Sequence, residues 1–243
     1  MERLSANALL EHWEAGEGLS PVRQAQVLLD AAYPGLPADT LAGFTVGRRD
    51  ALLLALRVQL FGSTVTAVAS CPSCRETVET SFLVQDILVD AKDTGTPPFV
   101  IQVGPVRVTF RLPTAGDVLA LEGFALEEAR QRLLEACLIE ARHKDGPVPA
   151  SALSEAVVAA VVAEMAVHDP QAEILLGLAC PSCSHTWTAL FDVVGFMWKE
   201  LEAWGHRLLR EVHALGRAYG WAEREILAMP AARRRRYLEM LSE

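Results

Sequence analysis

Cys71-Pro72-Ser73-Cys74 and Cys180-Pro181-Ser182-Cys183 are one tetrapeptide written twice, and together they hold four of the chain's five cysteines. A Cys-x-x-Cys turn sets two sulfurs on one side of a tight bend with backbone N–H groups aimed at them. That is half of a tetrahedral thiolate site, and two halves make a closed one. The repeat therefore predicts a metal ion and a contact between distant parts of the chain.

The flanks of each copy say what carries it. Val65, Ala67 and Ala69 alternate with Thr64, Thr66 and Val68 before the first pair, and Val78, Thr80 and Phe82 alternate with Thr77, Glu79 and Ser81 after it. This period of two predicts a hairpin with the cysteine turn at its tip. Residues 174–179 lead into the second pair, and Trp187, Ala189 and Phe191 alternate with their neighbours beyond it. A redox dithiol, two local disulfides and an iron–sulfur cluster compete with a metal clasp. A redox Cys-x-x-Cys usually opens a helix, whereas both pairs here lie between strands, which favours structural zinc on Cys71, Cys74, Cys180 and Cys183. His185 follows the second pair closely, and as the four thiolates complete the site its expected place is beside them, donating to a sulfur. Cys137 falls on an apolar helix face and is expected to pack.

The remaining pattern is mostly helical. Residues 7–13 carry an apolar stripe, Ser20-Pro21 caps a helix through Tyr33, and a third helix runs from about Val46 to Gly62. Residues 99–103 and 106–110 alternate around Gly104-Pro105 as a second hairpin, with a polar loop over 92–98 before it. Thr114 and Asp117 have the spacing of a capping box. Leu133, Leu134, Cys137, Leu138 and Ala141 predict one helix ending near His143, broken by Gly146-Pro147. Residues 152–167 are apolar almost all round, which predicts the most buried helix. A long amphipathic helix follows over 195–219, then two short helices parted at Met229-Pro230.

Composition narrows the function. The chain has 243 residues, 51% of them apolar and 22% charged, as in globular proteins. Its formal net charge of −9 disfavours general binding to nucleic acid or anionic lipid. No apolar run approaches the ~20 residues of a membrane span, and residues 1–5 do not open a signal peptide, so a soluble, cytoplasmic protein is expected. Four thiolates leave a zinc ion no open position for water. There is no Ser-His-Asp signature, phosphate loop or paired-carboxylate motif, so no catalytic residue and no small-molecule substrate are expected. His206 and His213 share a helix face without a carboxylate at ligand spacing and read as surface or interface residues.

The last fifty residues are rich in aromatic and basic side chains. Trp198, Trp204, Tyr219, Trp221 and Tyr237, with Arg233 and Arg234 of an Arg233–236 run, are the candidate partner-binding residues. Core packing is the plain alternative for the rings and a solvated face for the arginines. Trp198 falls off the main apolar stripe of its helix, which is how a docking residue would look.

Several motifs occur in one order along the chain: Gly47-Arg48-Arg49-Asp50 through Leu60-Phe61-Gly62, Arg111-Leu112-Pro113-Thr114, Asp169-Pro170-Gln171-Ala172-Glu173, the second cysteine pair with Ser184-His185-Thr186-Trp187, and Ala218-Tyr219-Gly220-Trp221. With the cysteine pairs they make residues from about 46 onward resemble the T4-like phage baseplate protein family, found in contractile tails and contractile injection systems. Ser184 departs from the pattern, standing where a glycine is common and a positive φ is awkward. The resemblance implies a non-enzymatic structural or assembly part of a baseplate, whose partners are other baseplate or tail subunits and which ends in a phage-tail-like particle. A zinc-ribbon adaptor for RNA or the transcription and translation machinery is the alternative. The expected fold is α+β and mainly helical, with a zinc ribbon of two cysteine hairpins and a small antiparallel β region. The expected division is a helical region over 1–62, a ribbon and β region over 63–194 with a helical insertion near 114–170, and a helical docking segment over 195–243.

Overall fold

In a computed structural model, described over residues 4–89 and 97–241, the chain divides into two compact units, Met1–Leu36 with Val193–Glu243, and Pro37–Asp192. Most of the expected loop over 92–98 lies outside the described residues.

The first unit is helical. Helix α1 (Ala6–Gly16) starts where the Ser5 hydroxyl accepts from the Ala8 N–H, and α2 (Pro21–Ala32) starts where Ser20 accepts from Arg23. Proline at the first helical position gives up an N–H that would have no partner there. Helix α9 (Val193–Tyr219) stops at Gly220, whose φ of +70° suits glycine. Two shorter helices, α10 (Glu223–Leu227) and α11 (Ala231–Met240), fold back on α9. Leu28, Leu201, Leu208, Leu215 and Ile226 are sealed from solvent between these helices. Gly205 is needed because a Cβ there would lie 2.7 Å from the Trp13 ring.

The second unit mixes small sheets with helices. Strands β1 (Thr64–Ser70) and β2 (Thr77–Leu83) pair antiparallel from Thr64 with Leu83 to Ser70 with Thr77. The late hairpin has the same build, with Leu175–Ala179 paired against Thr186–Leu190. Before β1 come α3 (Ala38–Ala42) and α4 (Val46–Phe61), and Gly62 ends α4 at φ +90°. A one-turn helix, α5 (Val84–Ile87), follows β2. Between the hairpins, β3 (Phe99–Val103), β4 (Val106–Phe110), β5 (Leu138–His143) and β6 (Gly146–Pro147) form one antiparallel sheet in that order. Helices α6 (Ala115–Leu119) and α7 (Leu126–Cys137) lie between β4 and β5, and α8 (Glu155–His168) follows β6. Phe99, Val108, Phe110 and Ala141 of the sheet pack with Val157 and Val161 of α8 as the core. The late hairpin supplies β7 (Leu175–Ala179) and β8 (Thr186–Leu190).

Helices and small antiparallel sheets make the α+β class. Two readings need correction. The helix expected to reach His143 ends at Cys137, and Leu138–His143 is β5, because β4 needs a partner for its open edge and takes it from this segment. Gly146-Pro147 is accordingly the return into β6, not a helix break. The helix over 155–168 is not the most buried. Val157 and Val161 face the sheet, while Val162 and Val167 remain 51% and 68% exposed, since the sheet covers one side only.

Candidate metal centre

The two cysteine turns are built alike. In the first, the Cys71 N–H donates to the Glu76 carbonyl and the Arg75 N–H donates to the Cys71 carbonyl, both at 2.9 Å. In the second, Cys180 donates to His185 and Ser184 donates to Cys180, also at 2.9 Å. Each turn needs one residue in the left-handed region to swing the chain back into its strand. Arg75 takes it with φ 63° and Ser184 with φ 58°. The awkward position expected for Ser184 is therefore real, and it has a twin in Arg75 that the sequence did not point to.

The four sulfurs meet. Cys71 Sγ lies 3.7 Å from Cys183 Sγ, Cys74 Sγ lies 3.6 Å from Cys180 Sγ, and all four fall within 4.8 Å of one another. The first cysteine of each turn is buried and the second exposed. Val78 and Trp187 pack against the buried pair. All five cysteines are free thiols, and the gaps between sulfurs are far above the ~2.05 Å of a disulfide. Four sulfurs held about 2.3 Å from one ion at tetrahedral angles lie about 3.8 Å apart. The observed gaps are close to that edge, so the donor set fits a single thiophilic ion. A multi-iron cluster would hold its thiolates further apart.

Within the first turn the two thiols are shifted in opposite directions. Burial pushes the Cys71 thiol up, but the N–H groups of Cys74 and Ser73 and the thiols of Cys74 and Cys183 outweigh it and bring it down to about 7. At Cys74 the Glu76 N–H pulls down, yet the thiols of Cys183, Cys180 and Cys71, together with burial, push it up to about 12. The shifts are opposed because a negative charge on one sulfur disfavours a second beside it.

His185 is exposed and its ring stacks near Trp187, centroids 6.1 Å apart. Cys137 is buried away from the cluster, and burial lifts its thiol to about 11, as suits a packing residue. Of the candidate partner residues, Trp198 is corrected: it is 8% exposed, and its ring covers Gly16 where any side chain would collide with it. Arg234 is also buried, at 4%, donating to Glu211 and to the Met229 carbonyl. Tyr219 and Trp221 stack at 4.5 Å with Tyr237 edge-on to both, so these rings partly serve each other. Trp204 is half-buried and Arg233 exposed. His206 and His213 are exposed, and the His206 ring meets the edge of Trp13.

A second constellation was not read from the sequence as a unit. Asp169 is buried and accepts from the Gly47 N–H at 2.9 Å, in the first turn of α4. A Cβ at Gly47 would overlap this carboxylate. Arg49 and Asp50 form a buried pair at 2.7 Å, and Gln171 accepts from the Val89 N–H. Burial raises both Asp50 and Asp169 above the usual carboxylate range, against the lowering pull of Arg49 on Asp50 and of the Gly47 N–H and Thr45 on Asp169. Nearby, the Val46 N–H donates to Pro113 and Ala115 donates to Phe44. Arg111 grips Asp117 with two hydrogen bonds of 2.6 and 2.8 Å, and that grip holds Asp117 down at about 2. The segments at 44–50, 111–117 and 169–171 thus form one polar knot. Each is short and unremarkable alone, and their pairing lies in three-dimensional contacts that spacing does not carry.

Fold and site define a helix-rich scaffold whose distant hairpins are drawn together by four cysteines. The chain belongs to the family of the T4 bacteriophage base plate protein, whose model matches residues 28–198. That span holds both cysteine pairs and the polar knot, begins upstream of the motifs quoted above, and ends at Trp198, near the start of the aromatic C-terminal segment. Comparison with curated proteins and with solved structures gave no match. Among the described residues, no helix is long and apolar enough to cross a membrane.

Proposed function

We infer that this chain is a structural or assembly component of the baseplate of a contractile tail or contractile injection system, with a zinc ion on Cys71, Cys74, Cys180 and Cys183 as a clasp. The family match over residues 28–198 is the observation that carries the reading, and it sets this above an RNA or transcription adaptor. The sulfur spacing supports a single ion, and a cytoplasm that keeps thiols reduced suits zinc. The role is proposed to be non-catalytic, because four thiolates close the coordination sphere. His185 is proposed to lie beside the loaded site and soften its negative charge. The segment 195–243, which shares a compact unit with the N-terminal helices, docks on other baseplate or tail subunits through residues such as Trp204, Tyr219, Trp221, Arg233 and Tyr237. It is made in the cytoplasm and acts in a phage-tail-like particle.

Deleting the gene and imaging the particles by electron microscopy tests this. Absent or baseplate-defective particles are expected, and Cys71→Ser should reproduce the defect. Normal particles from the deletion strain, or a gene with no sheath, tube or spike genes around it, would overturn the reading.

A further inference from the structure

The first unit contains a recess of about 350 Å3 between α9 and α11, lined by Trp204, Arg207, Leu208, Glu211, Arg234 and Arg235. Three guanidinium groups face one carboxylate there, in a chain whose formal net charge is −9. The one carboxylate is already used: Arg234, with its side chain 5% exposed, donates to Glu211 at 2.9 Å and to the Met229 carbonyl at 2.7 Å. That pair, buried at Arg234 and half-buried at Glu211, fixes the floor. Arg207 and Arg235 are exposed at the rim, with no ion pair among the described residues. The half-buried Trp204 ring and Leu208 supply an apolar wall.

We propose that this recess takes an acidic segment of a protein partner, a carboxylate side chain gripped by Arg207 and Arg235 with an adjoining apolar residue against Trp204. Guanidinium matches carboxylate with two parallel hydrogen bonds, and tryptophan and arginine dominate the energetics of protein interfaces. The volume lies at the small end of the range for binding pockets, about 300–1,000 Å3. A nucleic-acid track would instead be a basic stripe with several stacking rings. The proposal rests on the baseplate reading for the partner's identity, but the recess lies outside the family-matched span, so it concerns this chain's own C-terminal segment.

Full-length, metal-loaded protein labelled with 15N on its indoles is titrated with an acetylated, amidated Asp-Glu-Leu-Glu peptide, with the Asn-Gln-Leu-Gln peptide, and with a single-stranded oligothymidylate. The Trp204 indole signal, assigned through Trp204→Phe, should shift saturably with the acidic peptide and at least tenfold more weakly with the neutral one. Arg207→Glu with Arg235→Glu should abolish the shift while the far-ultraviolet dichroism stays unchanged. If that double variant does not fold, Arg207→Gln and Arg235→Gln singly should each weaken binding several-fold. Equal response to both peptides, tighter binding of the oligonucleotide, or variants that bind as wild type would overturn the proposal. Failure here with assembly still dependent on the gene would sink the recess alone. Success here with intact particles in the deletion strain would sink the baseplate reading alone.

Discussion

Arg75 and Ser184 each hold a left-handed backbone so that a cysteine turn can re-enter its strand. That conformation costs an L-residue about 1–2 kcal/mol, while glycine avoids it and loses about 0.5–1 kcal/mol through its freer unfolded chain. Ser184→Gly should therefore stabilise by up to about 1 kcal/mol, seen as a higher thermal midpoint; a lower midpoint would mean the Ser184 side chain contributes more than its strain. Serine after a cysteine pair hints at this position, but arginine carries no such hint, so only half of the pair was legible. Asp117 gives a pH signature. Its folded value of about 2 lies below its ordinary 3.8, so its pairing stabilises above the ordinary value and that contribution is lost as pH falls through the folded one. Asp50 and Asp169 act with the opposite sign, because their folded values are raised and acid favours their folded forms. Asp117→Asn should lower the urea midpoint at neutral pH and flatten its decline between about pH 4 and pH 2. An unchanged acid limb would assign that decline to other groups.

Strands and helices were legible where their signal is local. The hairpins β1–β2 and β7–β8 show period-two alternation on both sides of a turn that the cysteines mark, and α9 repeats its apolar residues every three or four positions. Strand β5 was not legible. Leu138 and Ala141 continue the helical spacing of α7, and what makes them strand is the open edge of β4, contributed from far upstream. The same non-local fact misleads about α8, whose sequence is apolar all round while its sheet covers one side. Val161 and Val162 look alike in the sequence, yet they are 0% and 51% exposed. Val161→Thr should bury a hydroxyl at a cost of about 1–3 kcal/mol, whereas Val162→Thr should stay within about 0.5 kcal/mol. Chemical denaturation separates them, and equal effects would mean that α8 does not lie on the sheet as described.

At the scale of the molecule, the contact between the two cysteine turns was legible before any fold, because two Cys-x-x-Cys turns set between strands fit one shared metal site better than a redox dithiol, local disulfides or an iron–sulfur cluster. The polar knot of Gly47, Arg49, Asp169 and Gln171 was present only as separate motifs, since nothing in their spacing says that they touch. The clasp spans 106 residues between Cys74 and Cys180, and structural zinc sites contribute about 10–16 kcal/mol of apparent binding free energy, comparable with the whole stability of a domain. Chelation should therefore lower the thermal midpoint by many degrees and Cys71→Ser should leave the protein loosened, both visible by calorimetry. The most direct measurement is the metal content of the purified full-length protein, by plasma mass spectrometry alongside a thiol titration. One zinc per chain is expected, with four thiols released to the titrant only after chelation; a folded protein carrying neither zinc nor another thiophilic metal would contradict the clasp.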